Sequence, residues 1–382
     1  MADKKALYVA SIFRHFTAFH IPFMTMLQEM GFKVYAAACP KGQEREMEEL
    51  KKIGVKTIEI PFSRNPYTFQ NIKAYKALLD LFKRERFDLI HTHTPAASFI
   101  TRFAAKKSGN QGPVIYTAHG FHFYKGAPLI NWLLYYNIEK LAARWTDVLI
   151  VINQEDFEIA KKMGFIPEKN LFLVPGVGID LQRFQFTQED RINKRKELGF
   201  ENNEVLFVYV AEFTRNKNHK MLLEAWKKVD ADRLKAHLIL VGDGSLLEKM
   251  KRKVKNEGIK NVHFLGYRTD VPEILHACDV AVSTSKREGL PRAILEAMAC
   301  GKPVIATDVR GNRDLIEHFV NGILVTEKKE LEQAVIDLAK DKRLRLRLGF
   351  KNKIKVTRYT VEEVAKMLRK IYEEIEKKED EQ

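Results

Sequence analysis

Short runs of β-branched and aliphatic residues alternate with longer amphipathic stretches along almost the whole chain, in two successive series. The first series places strand candidates at residues 6–10, 33–38, 89–93, 114–118, 148–152 and 171–176. The second series places them at residues 205–210, 237–243, 262–266, 280–284 and 304–308. Amphipathic helical patterns, such as residues 71–86 and 218–229, separate the strands. This alternation is typical of βαβ units, so the sequence predicts two doubly wound α/β domains in tandem.

One stretch rich in Gly and Pro, "PGVGIDLQRF" at residues 175–184, interrupts the alternation and predicts an interdomain linker. We therefore expect an N-terminal Rossmann-like domain over residues 1–178 and a C-terminal one over residues 179–360. The helical pattern of residues 361–382 is expected to pack back on the N-terminal domain. In open parallel sheets, ligands bind beyond the carboxyl ends of the strands, so the loops there are expected to carry the chemistry.

The N-terminus and the cysteines bear on location. The longest apolar run is far shorter than the ~20 residues that a membrane-spanning helix needs. The start of the chain, "MADKKALYVASIFRHF", has no small-residue cleavage site, so it reads as a buried first strand and not as a signal peptide. Cys39, Cys278 and Cys300 lie far apart, with neither metal spacing nor an even count. The expectation is a cytoplasmic protein.

The charge balance points to anionic partners. The net charge is +15, and residues 51–150 carry 15 Lys and Arg against 6 Asp and Glu. Such an excess favours nucleic acid, anionic lipid head groups or phosphorylated substrates. A surface that is basic only for solubility would show the same composition, so charge alone leaves both interpretations open.

Two glutamates bracket a turn in "KREGLPRAILEAMACGKPVIATD". Glu288 stands in a loop beyond a strand, Pro291 suits the first turn of a helix, and Gly301 suits its end. Glu296 then lies about one and a half turns into that helix, roughly 8 Å further along. The amides of Gly289 and Leu290 precede the helix, where the helix dipole adds positive character.

This layout fits a nucleotide-sugar. Amide donors and the helix dipole suit a diphosphate, and two ionised carboxylates suit the hydroxyl groups on either side of it. The alternative is that Glu288 caps the helix and that Glu296 is a solvated helix residue.

The stretch "EGLPRAILEAMACGKPVIATDVRGNRDLI" resembles the glutamate-seven-residues-glutamate motif of glycosyltransferase family 4. The similarity continues through "LVGDGSLLEKM" and "VHFLGYRTDVPEILHACDVAVSTSKREGLP". In the N-terminal half, "HTHTPAASF" and "YTAHGFHFYKGAPLINWLLYYNIEK" resemble the exopolysaccharide-building subgroup of EpsD type. The resemblance implies a retaining enzyme of GT-B fold, with two Rossmann-like domains facing a central cleft.

The resemblance also implies roles for the matched residues of the second domain. Glu296 is expected to hold the ribose hydroxyls, and Glu288 the hydroxyls of the transferred sugar. Gly289 and Leu290 are expected to donate amides near the sugar and the phosphates.

The resemblance implies roles for four more residues at the site of the nucleotide-sugar donor. The backbone around Gly266, Tyr267 and Arg268 is expected to meet the base. Gly242, in "VGDGS", is expected to let the backbone approach closely, although a Gly-x-Gly turn after a strand is common.

Positive charge is needed at the leaving diphosphate, because enzymes of this fold normally work without a bound metal. The family places an arginine and a lysine after the first strand of the second domain, where this chain reads "VAEFTRNKNHK". Lys217 matches the lysine, but Glu212 occupies the arginine position. We expect Arg215 to compensate; the alternative is that Lys217 works alone.

Histidines carry the expectations for the first domain. The resemblance places His119 beside the sugar, so His119, Glu288 and Lys217 form the expected catalytic set. His15, His20 and His122 are assigned to the acceptor side. A further pair, at residues 91 and 93 in "LIHTHT", has no third ligand at metal spacing, so no metal and no cofactor are expected.

Residues 127–145 combine Trp132, Tyr135, Tyr136 and Trp145 with leucines and nearby basic residues. This mixture suits a membrane interface, but a core helix of the first domain would have the same pattern. The subgroup implies a lipid-linked acceptor, which is consistent with peripheral contact with an anionic membrane at the inner face of the cell.

The predicted activity is therefore transfer of a sugar, with retention, from a nucleotide-sugar to a polysaccharide precursor or lipid-linked saccharide in exopolysaccharide or capsule synthesis. The subgroup favours a UDP-linked donor. One alternative is a nucleotide-sugar epimerase of the same fold, which would need no acceptor. Another is a basic nucleic-acid-binding protein, although no recognition motif supports it and no nucleic acid partner is expected.

Overall fold

The computed structural model describes residues 4–63, 65, 68–109 and 111–380, with the side chains of residues 379 and 380 left out. The chain divides into two compact units. Unit 1 contains the described residues before Ile179 together with the C-terminal helix, and unit 2 spans Ile179–Thr360. The division between Gly178 and Ile179 falls in the stretch rich in Gly and Pro.

Unit 1 is built on a seven-stranded parallel sheet of order β3-β2-β1-β4-β5-β6-β7. Its strands are β1 Lys4–Ile12, β2 Phe32–Cys39, β3 Lys56–Glu59, β4 Leu89–His93, β5 Val114–Ala118, β6 Val148–Val151 and β7 Leu171–Leu173. Its helices are α1 Arg14–Phe19, α2 Ile21–Glu29, α3 Glu44–Lys52, α4 Phe69–Arg84, α5 Pro95–Ser108, α6 Leu129–Asn131, α7 Asn137–Ala142 and α8 Gln154–Lys162. A π-helical turn, Trp132–Tyr136, and a 3₁₀ turn, Ala143–Trp145, flank α7.

Unit 2 repeats the plan with six parallel strands in the order β10-β9-β8-β11-β12-β13. Its strands are β8 Val205–Val210, β9 Ala236–Val241, β10 Val262–Gly266, β11 Val280–Ser283, β12 Val304–Thr307 and β13 Gly322–Val325. Its helices are α9 Gln188–Glu197, α10 His219–Trp226, α11 Ala231–Leu234, α12 Leu247–Asn256, α13 Val271–Ala277, α14 Arg292–Ala299, α15 Asn312–Leu315, α16 Lys328–Lys340 and α17 Lys342–Lys355. The 3₁₀ turns Leu181–Phe184 and Val356–Tyr359 lie at its two ends.

Both sheets are covered on both faces, so most residues of their central strands are buried. In β1, Tyr8 belongs to the apolar cluster on one face of the sheet, whereas Leu7 and Val9 belong to the cluster on the other. In β8, Phe207 and Leu206 divide in the same way. The first strand is thus buried, as the sequence predicted for the N-terminus.

The C-terminal helix α18, Val361–Asp380, packs on the sheet of unit 1. Its buried residues include Leu368 and Ile371. Tyr372 is also buried, and its hydroxyl lies 2.8 Å from the hydroxyl of Tyr8 and 2.8 Å from Nδ1 of His91. The last helix is thus part of the core of unit 1, although the whole of unit 2 separates it from the rest of unit 1 in the sequence.

Two strands of the sheets are absent from the sequence prediction. These are β3 and β13, and each is the outermost strand of its sheet. Both have only four residues, and β3 has no buried residue. The sequence of β3, KTIE, accordingly shows no apolar run, whereas that of β13, GILV, does.

Among the described residues, none of the helices combines the length and the apolar character that crossing a bilayer requires.

Candidate active site

The strand order of unit 2 reverses between β8 and β11, and this switch point is where open α/β sheets bind their ligands. Lys217 follows β8, and Glu288 follows β11. The Lys217 Nζ donates to Glu288 Oε1 at 2.5 Å, and both side chains are largely buried. The structure therefore brings together two of the three predicted catalytic residues.

The loop that carries Lys217 is fixed by hydrogen bonds to its backbone. The carbonyl oxygen of Lys217 accepts from the hydroxyl of Tyr209 at 2.8 Å and from that of Thr284 at 3.2 Å. The Asn216 side-chain amide donates to the carbonyl of Arg287 at 3.0 Å. These bonds tie the loops after β8 and β11 together, so the ammonium group is held at the switch point.

Helix α14 begins without a side-chain cap. Its N-cap is Pro291, and no side chain accepts from its first turn, so the alternative in which Glu288 caps the helix is wrong. Throughout the described residues, the backbone N–H groups of Gly289 and Leu290 find no acceptor. Two unused amides beside a helix N-terminus form the kind of donor set that anions occupy.

The turn after β12 holds the loop of Gly289. Nε of Arg310, a buried side chain, donates to the carbonyl of Glu288 at 3.2 Å. Gly311 has φ +78°, and a Cβ placed there would lie 2.3 Å from the carbonyl oxygen of Gly289. Only glycine satisfies both the positive φ and this close approach, so the turn fixes the backbone that carries the two amides.

Glu296 lies on α14 and is only 19% exposed. Burial raises the pKa of its carboxyl group, and the adjacent Arg292 opposes that rise, with Nε 3.1 Å from Glu296 Oε1. The alternative of a solvated helix residue is therefore wrong. A half-buried carboxylate with one oxygen held by an arginine is suited to accept from a vicinal diol.

Arg215 and Glu212 are both exposed. The described residues include no hydrogen-bond or ion-pair partner for either side chain. The guanidinium of Arg215 is thus available two residues before Lys217, and the carboxylate of Glu212 does not neutralise it. Compensation by Arg215 stays a prediction.

For the other residues predicted to bind the nucleotide-sugar donor, the structure shows only local contacts or exposure. Gly242 has φ +141°, and a Cβ there would lie 2.2 Å from the carbonyl oxygen of Ala211, so the close approach it permits is to its own sheet. Tyr267 is 71% exposed. The Arg268 guanidinium is engaged by Asp270, with Nε 2.7 Å from Oδ1. Gly266 ends β10, and its carbonyl accepts from the amide of Gly242 at 2.8 Å. Contact with a base stays a prediction for Gly266, Tyr267 and Arg268.

Unit 1 gathers four histidines at the carboxyl edge of its sheet. His15 and His20 follow β1, His93 ends β4, and His119 follows β5. Nε2 of His15 lies 3.1 Å from Nε2 of His20, and Nδ1 of His93 lies 3.3 Å from Nε2 of His119. Burial lowers the pKa of His119 to about 4 and holds the pKa values of His20 and His93 well below the ordinary value.

His91 and His122 lie outside this group. His91 is buried, with Nε2 2.7 Å from Thr117 Oγ1, and burial lowers its pKa to about 3. The ring of His122 faces Tyr135, and its carbonyl accepts from the Asn131 side chain at 2.7 Å. His15 and His20, two of the three residues assigned to the acceptor side, thus come together with His119, and His122 does not.

The aromatic helix, residues 129–145, has two faces. Trp132, Tyr135 and Tyr136 pack towards the apolar cluster around Phe121 and Phe123. The opposite face leaves three aliphatic side chains exposed, with exposed fractions of 80% for Leu129, 62% for Ile130 and 69% for Leu133. The interpretation as a core helix therefore holds for part of the segment, namely these aromatic residues and the fully buried Ala142.

Sequence reasoning missed several residues that build these sites. Arg310 and Gly311 stand in "TDVRGN" just after a strand. Because ligands were expected at the loops after strands, this position could have marked both residues as candidates. The hydroxyl groups of Tyr209 and Thr284 carry no such signal, because their role depends on pairing between distant strands. His93 was considered only with its neighbour in the sequence, at residue 91, and the group it joins spans residues 15–119.

Two family models match the chain. The model described as "Glycosyl transferases group 1" matches residues 190–374, and the one described as "Glycosyltransferase Family 4" matches residues 23–183. Together they span most of both units.

Two relatives extend this result. A Bacillus subtilis protein, provisionally named as the glycosyltransferase EpsD, is 37% identical over 84% of this chain and 83% of its own length. The UDP-Gal:alpha-D-GlcNAc-diphosphoundecaprenol alpha-1,3-galactosyltransferase of Escherichia coli is 33% identical over 69% of this chain and 68% of its own length.

Among solved structures, Anabaena HepE in complex with UDP and glucose has a TM-score of 0.78 at 20% identity, covering 97% of this chain and 100% of that one. At this identity the likeness concerns the fold. The chain therefore belongs to glycosyltransferase family 4, has the GT-B fold of that family and resembles its EpsD-type subgroup.

Proposed function

We propose that this glycosyltransferase moves a sugar from a UDP-linked donor to a lipid-linked saccharide, with retention of the anomeric configuration, in exopolysaccharide or capsule synthesis. The observation that carries the proposal is the switch point of unit 2. There the Lys217–Glu288 pair lies next to the unused amides of Gly289 and Leu290. Cationic, anionic and amide groups are thus side by side, as a sugar diphosphate requires.

Each group has one assigned task. Lys217 and Arg215 carry the positive charge that stabilises the departing diphosphate, with the two amides as further donors. Glu288 accepts from hydroxyls of the transferred sugar, and Glu296 accepts from the ribose diol. In this proposal the leaving group departs without a bound Mg²⁺ or Mn²⁺, because the protein supplies the charge.

The donor base and the acceptor class follow from the relatives. The E. coli relative is named for a UDP-linked donor and a diphosphoundecaprenol acceptor, and HepE was solved with UDP. The alpha-1,3 link in the name of the E. coli enzyme, formed from an α-linked nucleotide donor, supports transfer with retention. His119 is proposed to hydrogen-bond a sugar hydroxyl.

A lipid-linked acceptor needs an apolar surface in unit 1, and a cavity of ≈ 940 Å³ is suited to it. Its lining is mainly aromatic and aliphatic, with Phe99, Phe103 and Tyr135 among the residues, and it includes His122. Phe69, at the same cavity, is 86% exposed. We assign this cavity to the first isoprene units of the acceptor lipid.

Contact with the membrane is proposed for the aromatic helix. Its exposed aliphatic residues, Leu129, Ile130 and Leu133, lie between the exposed basic residues Lys125 and Lys140 in the sequence. Apolar side chains with neighbouring basic groups suit the surface of an anionic bilayer. The proposed location is the inner face of the cell membrane.

The first experiment is a thermal melt of the purified chain with a panel of nucleotides and nucleotide-sugars. A ligand at a hundred times its dissociation constant adds about 2.7 kcal/mol of stability, which is enough to move the midpoint. We expect UDP and one UDP-sugar to raise the midpoint, and GDP, ADP and NAD to leave it unchanged. A flat response across the panel would contradict the donor assignment.

An activity assay then distinguishes a glycosyltransferase from an epimerase. We expect the UDP-sugar found in the melts to react only when a diphosphate-linked lipid acceptor is present, and the product to have the anomeric configuration of the donor by NMR. Conversion of the UDP-sugar without an acceptor would identify an epimerase. Salt-dependent binding of nucleic acid with no response to nucleotides would favour the nucleic-acid-binding alternative.

A further inference from the structure

The four histidines at the carboxyl edge of the unit 1 sheet form a compact group of nitrogen ligands. One ring nitrogen from each of His15, His20, His93 and His119 lies within 4.8 Å of the others. Two separations between ring nitrogens, 3.1 Å for His15 and His20 and 3.3 Å for His93 and His119, match the ~3.3 Å between neighbouring ligands of a tetrahedral Zn²⁺ site with Zn–N bonds of about 2.05 Å.

The backbone holds this group in place. His93 ends β4 and pairs in register with Thr117 of β5, two residues before His119. Thr94 has φ +65°, which is strained for a β-branched residue, and its hydroxyl accepts from the amide of Ser11 at 3.0 Å. The ends of β1, β4 and β5 are thus locked together at the switch point of this sheet, where the order reverses between β1 and β4.

Hydrogen bonds between the imidazoles do not give every ring nitrogen of the group a partner. The Nε2 of His93 is buried, and in the described part of the chain it has no hydrogen-bond partner. His93 itself is 1% exposed and His20 is 3% exposed. A buried polar atom without a partner is costly, so it calls for an explanation.

Coordination at Nε2 of His93 would give this atom a partner, whereas Nδ1 of His93 is the nitrogen that lies 3.3 Å from Nε2 of His119. We infer that His15, His20, His93 and His119 bind one borderline transition-metal ion of the Zn²⁺ class. Imidazole nitrogen is a ligand that such ions prefer. The group contains no carboxylate, which disfavours Mg²⁺ and Ca²⁺, because these ions prefer oxygen ligands.

This site is separate from the donor machinery of unit 2 and does not rest on the proposed function. His119 can serve both, since an imidazole has two ring nitrogens. Its Nε2, which faces His93, would bind the metal, and Nδ1 would remain for a sugar hydroxyl. The sequence expectation of no metal rested on the sequence spacing around the pair at residues 91 and 93. His15, His20 and His119 are distant from His93 in the sequence but near it in the structure.

The test is a metal titration of the untagged full chain, stripped with a chelator and measured without donor or acceptor. Zn²⁺ is added in competition with a chromophoric chelator, and Co²⁺ is used for its absorption spectrum. We expect one equivalent of Zn²⁺ and the intense visible absorption of four-coordinate Co²⁺. We expect His15→Gln and His93→Gln each to weaken Zn²⁺ binding by at least tenfold.

A matched control comes from unit 2. There Nδ1 of His237 lies 3.1 Å from Nε2 of His263, a histidine pair without two further histidines, and His263→Gln should leave the Zn²⁺ affinity unchanged. If His93→Gln does not fold, His15→Gln decides, because His15 is only partly buried. Less than a tenth of an equivalent bound by the native chain, or equal affinity in the native chain and His15→Gln, overturns the inference.

Discussion

At the scale of single residues, the pair formed by Lys217 and Glu288 places opposite charges together at the switch point of unit 2. The Lys217 ammonium lies 2.5 Å from the predicted catalytic carboxylate. The pair also places the positive charge next to the unused amides of Gly289 and Leu290. Substrate hydroxyls can then exchange with the ammonium as partners of the carboxylate.

Substitution of Glu288 by Gln should remove transfer while the fold persists. The amide keeps the size of the side chain but cannot accept at both terminal atoms, and we expect a loss of roughly 100-fold in kcat/KM. Glu288→Gln should also melt within a few degrees of the native chain, because the loop is not part of the core. Steady-state kinetics and circular dichroism measure both quantities. Full activity, or a collapsed fold, would contradict the site.

Arg215 provides a second residue-scale prediction. Its guanidinium is exposed and has no partner among the described side chains, so its removal should cost no stability. We expect Arg215→Gln to lower kcat/KM by roughly 10- to 100-fold, and Arg215→Lys to retain part of the activity. The matched control is Arg252→Gln, since Arg252 is an exposed arginine of α12. Equal kinetics for Arg215→Gln and the control would mean that Lys217 works alone.

His219 gives unit 2 a dependence on pH. Its ring stacks on Phe213 with centroids 4.0 Å apart, Nε2 is buried without a partner among the described residues, and burial, with a smaller effect of Lys217, lowers its pKa to about 4. The unfolded chain binds this proton near pH 6.5, so stability is lost as pH falls from there towards 4.

This contribution should amount to about 2 kcal/mol between pH 7 and pH 5. In His219→Phe, which keeps an aromatic ring on Phe213, the loss of unfolding free energy over this range should be smaller by that amount. Urea unfolding at the two pH values, followed by the fluorescence of the nearby Trp226, measures it. The same loss in both proteins would show that the pKa of His219 is the same in the folded and unfolded states.

At the scale of elements, the sequence predicted every central strand and two of the four edge strands. β4 and β5 are buried along their whole length, and their predicted bounds match the structure. The edge strands β7 and β10 were predicted, whereas β3, which has no buried residue, and β13, which begins with a glycine, were missed. The glutamate motif could be located because its residues are contiguous. The histidine group could not, because parallel pairing assembles it from three strand ends.

The aromatic helix carries the element-scale prediction. Replacing Leu129, Ile130 and Leu133 by Ser should reduce binding to vesicles that contain anionic lipid, since each exposed aliphatic side chain would otherwise bury its surface in the bilayer. Cosedimentation with the vesicles measures the bound fraction. Stability should hold, because the three side chains already face solvent.

A second exposed stripe serves as the control. Helix α17 is strongly basic, and it exposes Leu346, Phe350 and Ile354 by 64%, 63% and 54%. The corresponding Ser triple variant of α17 should bind vesicles like the native chain. If this variant loses binding and the first one does not, the membrane contact belongs to unit 2 and the assignment to the aromatic helix is wrong.

At the scale of the whole molecule, the chain closes unit 1 only after unit 2 is complete. The strands of unit 1 end at Leu173, yet its core also needs α18, which begins at Val361. In α18, Leu368 is 5% exposed and Ile371 is 3% exposed. The stability of unit 1 therefore depends on side chains that lie beyond unit 2 in the sequence.

Truncation of these two side chains should separate the unfolding of the units. Each Leu→Ala or Ile→Ala change in a core costs roughly 2–5 kcal/mol, so Leu368→Ala with Ile371→Ala removes a large part of the stability of a domain. We expect unit 1 to unfold at a lower urea concentration, reported by loss of its tertiary signals, while unit 2 keeps its midpoint. The control Lys370→Ala with Glu373→Ala, two exposed residues of the same helix, should leave both midpoints unchanged. Since UDP is proposed to bind in unit 2, it should still raise the midpoint of that unit in the core variant; parallel loss of both units would show that the core of unit 1 also sustains unit 2.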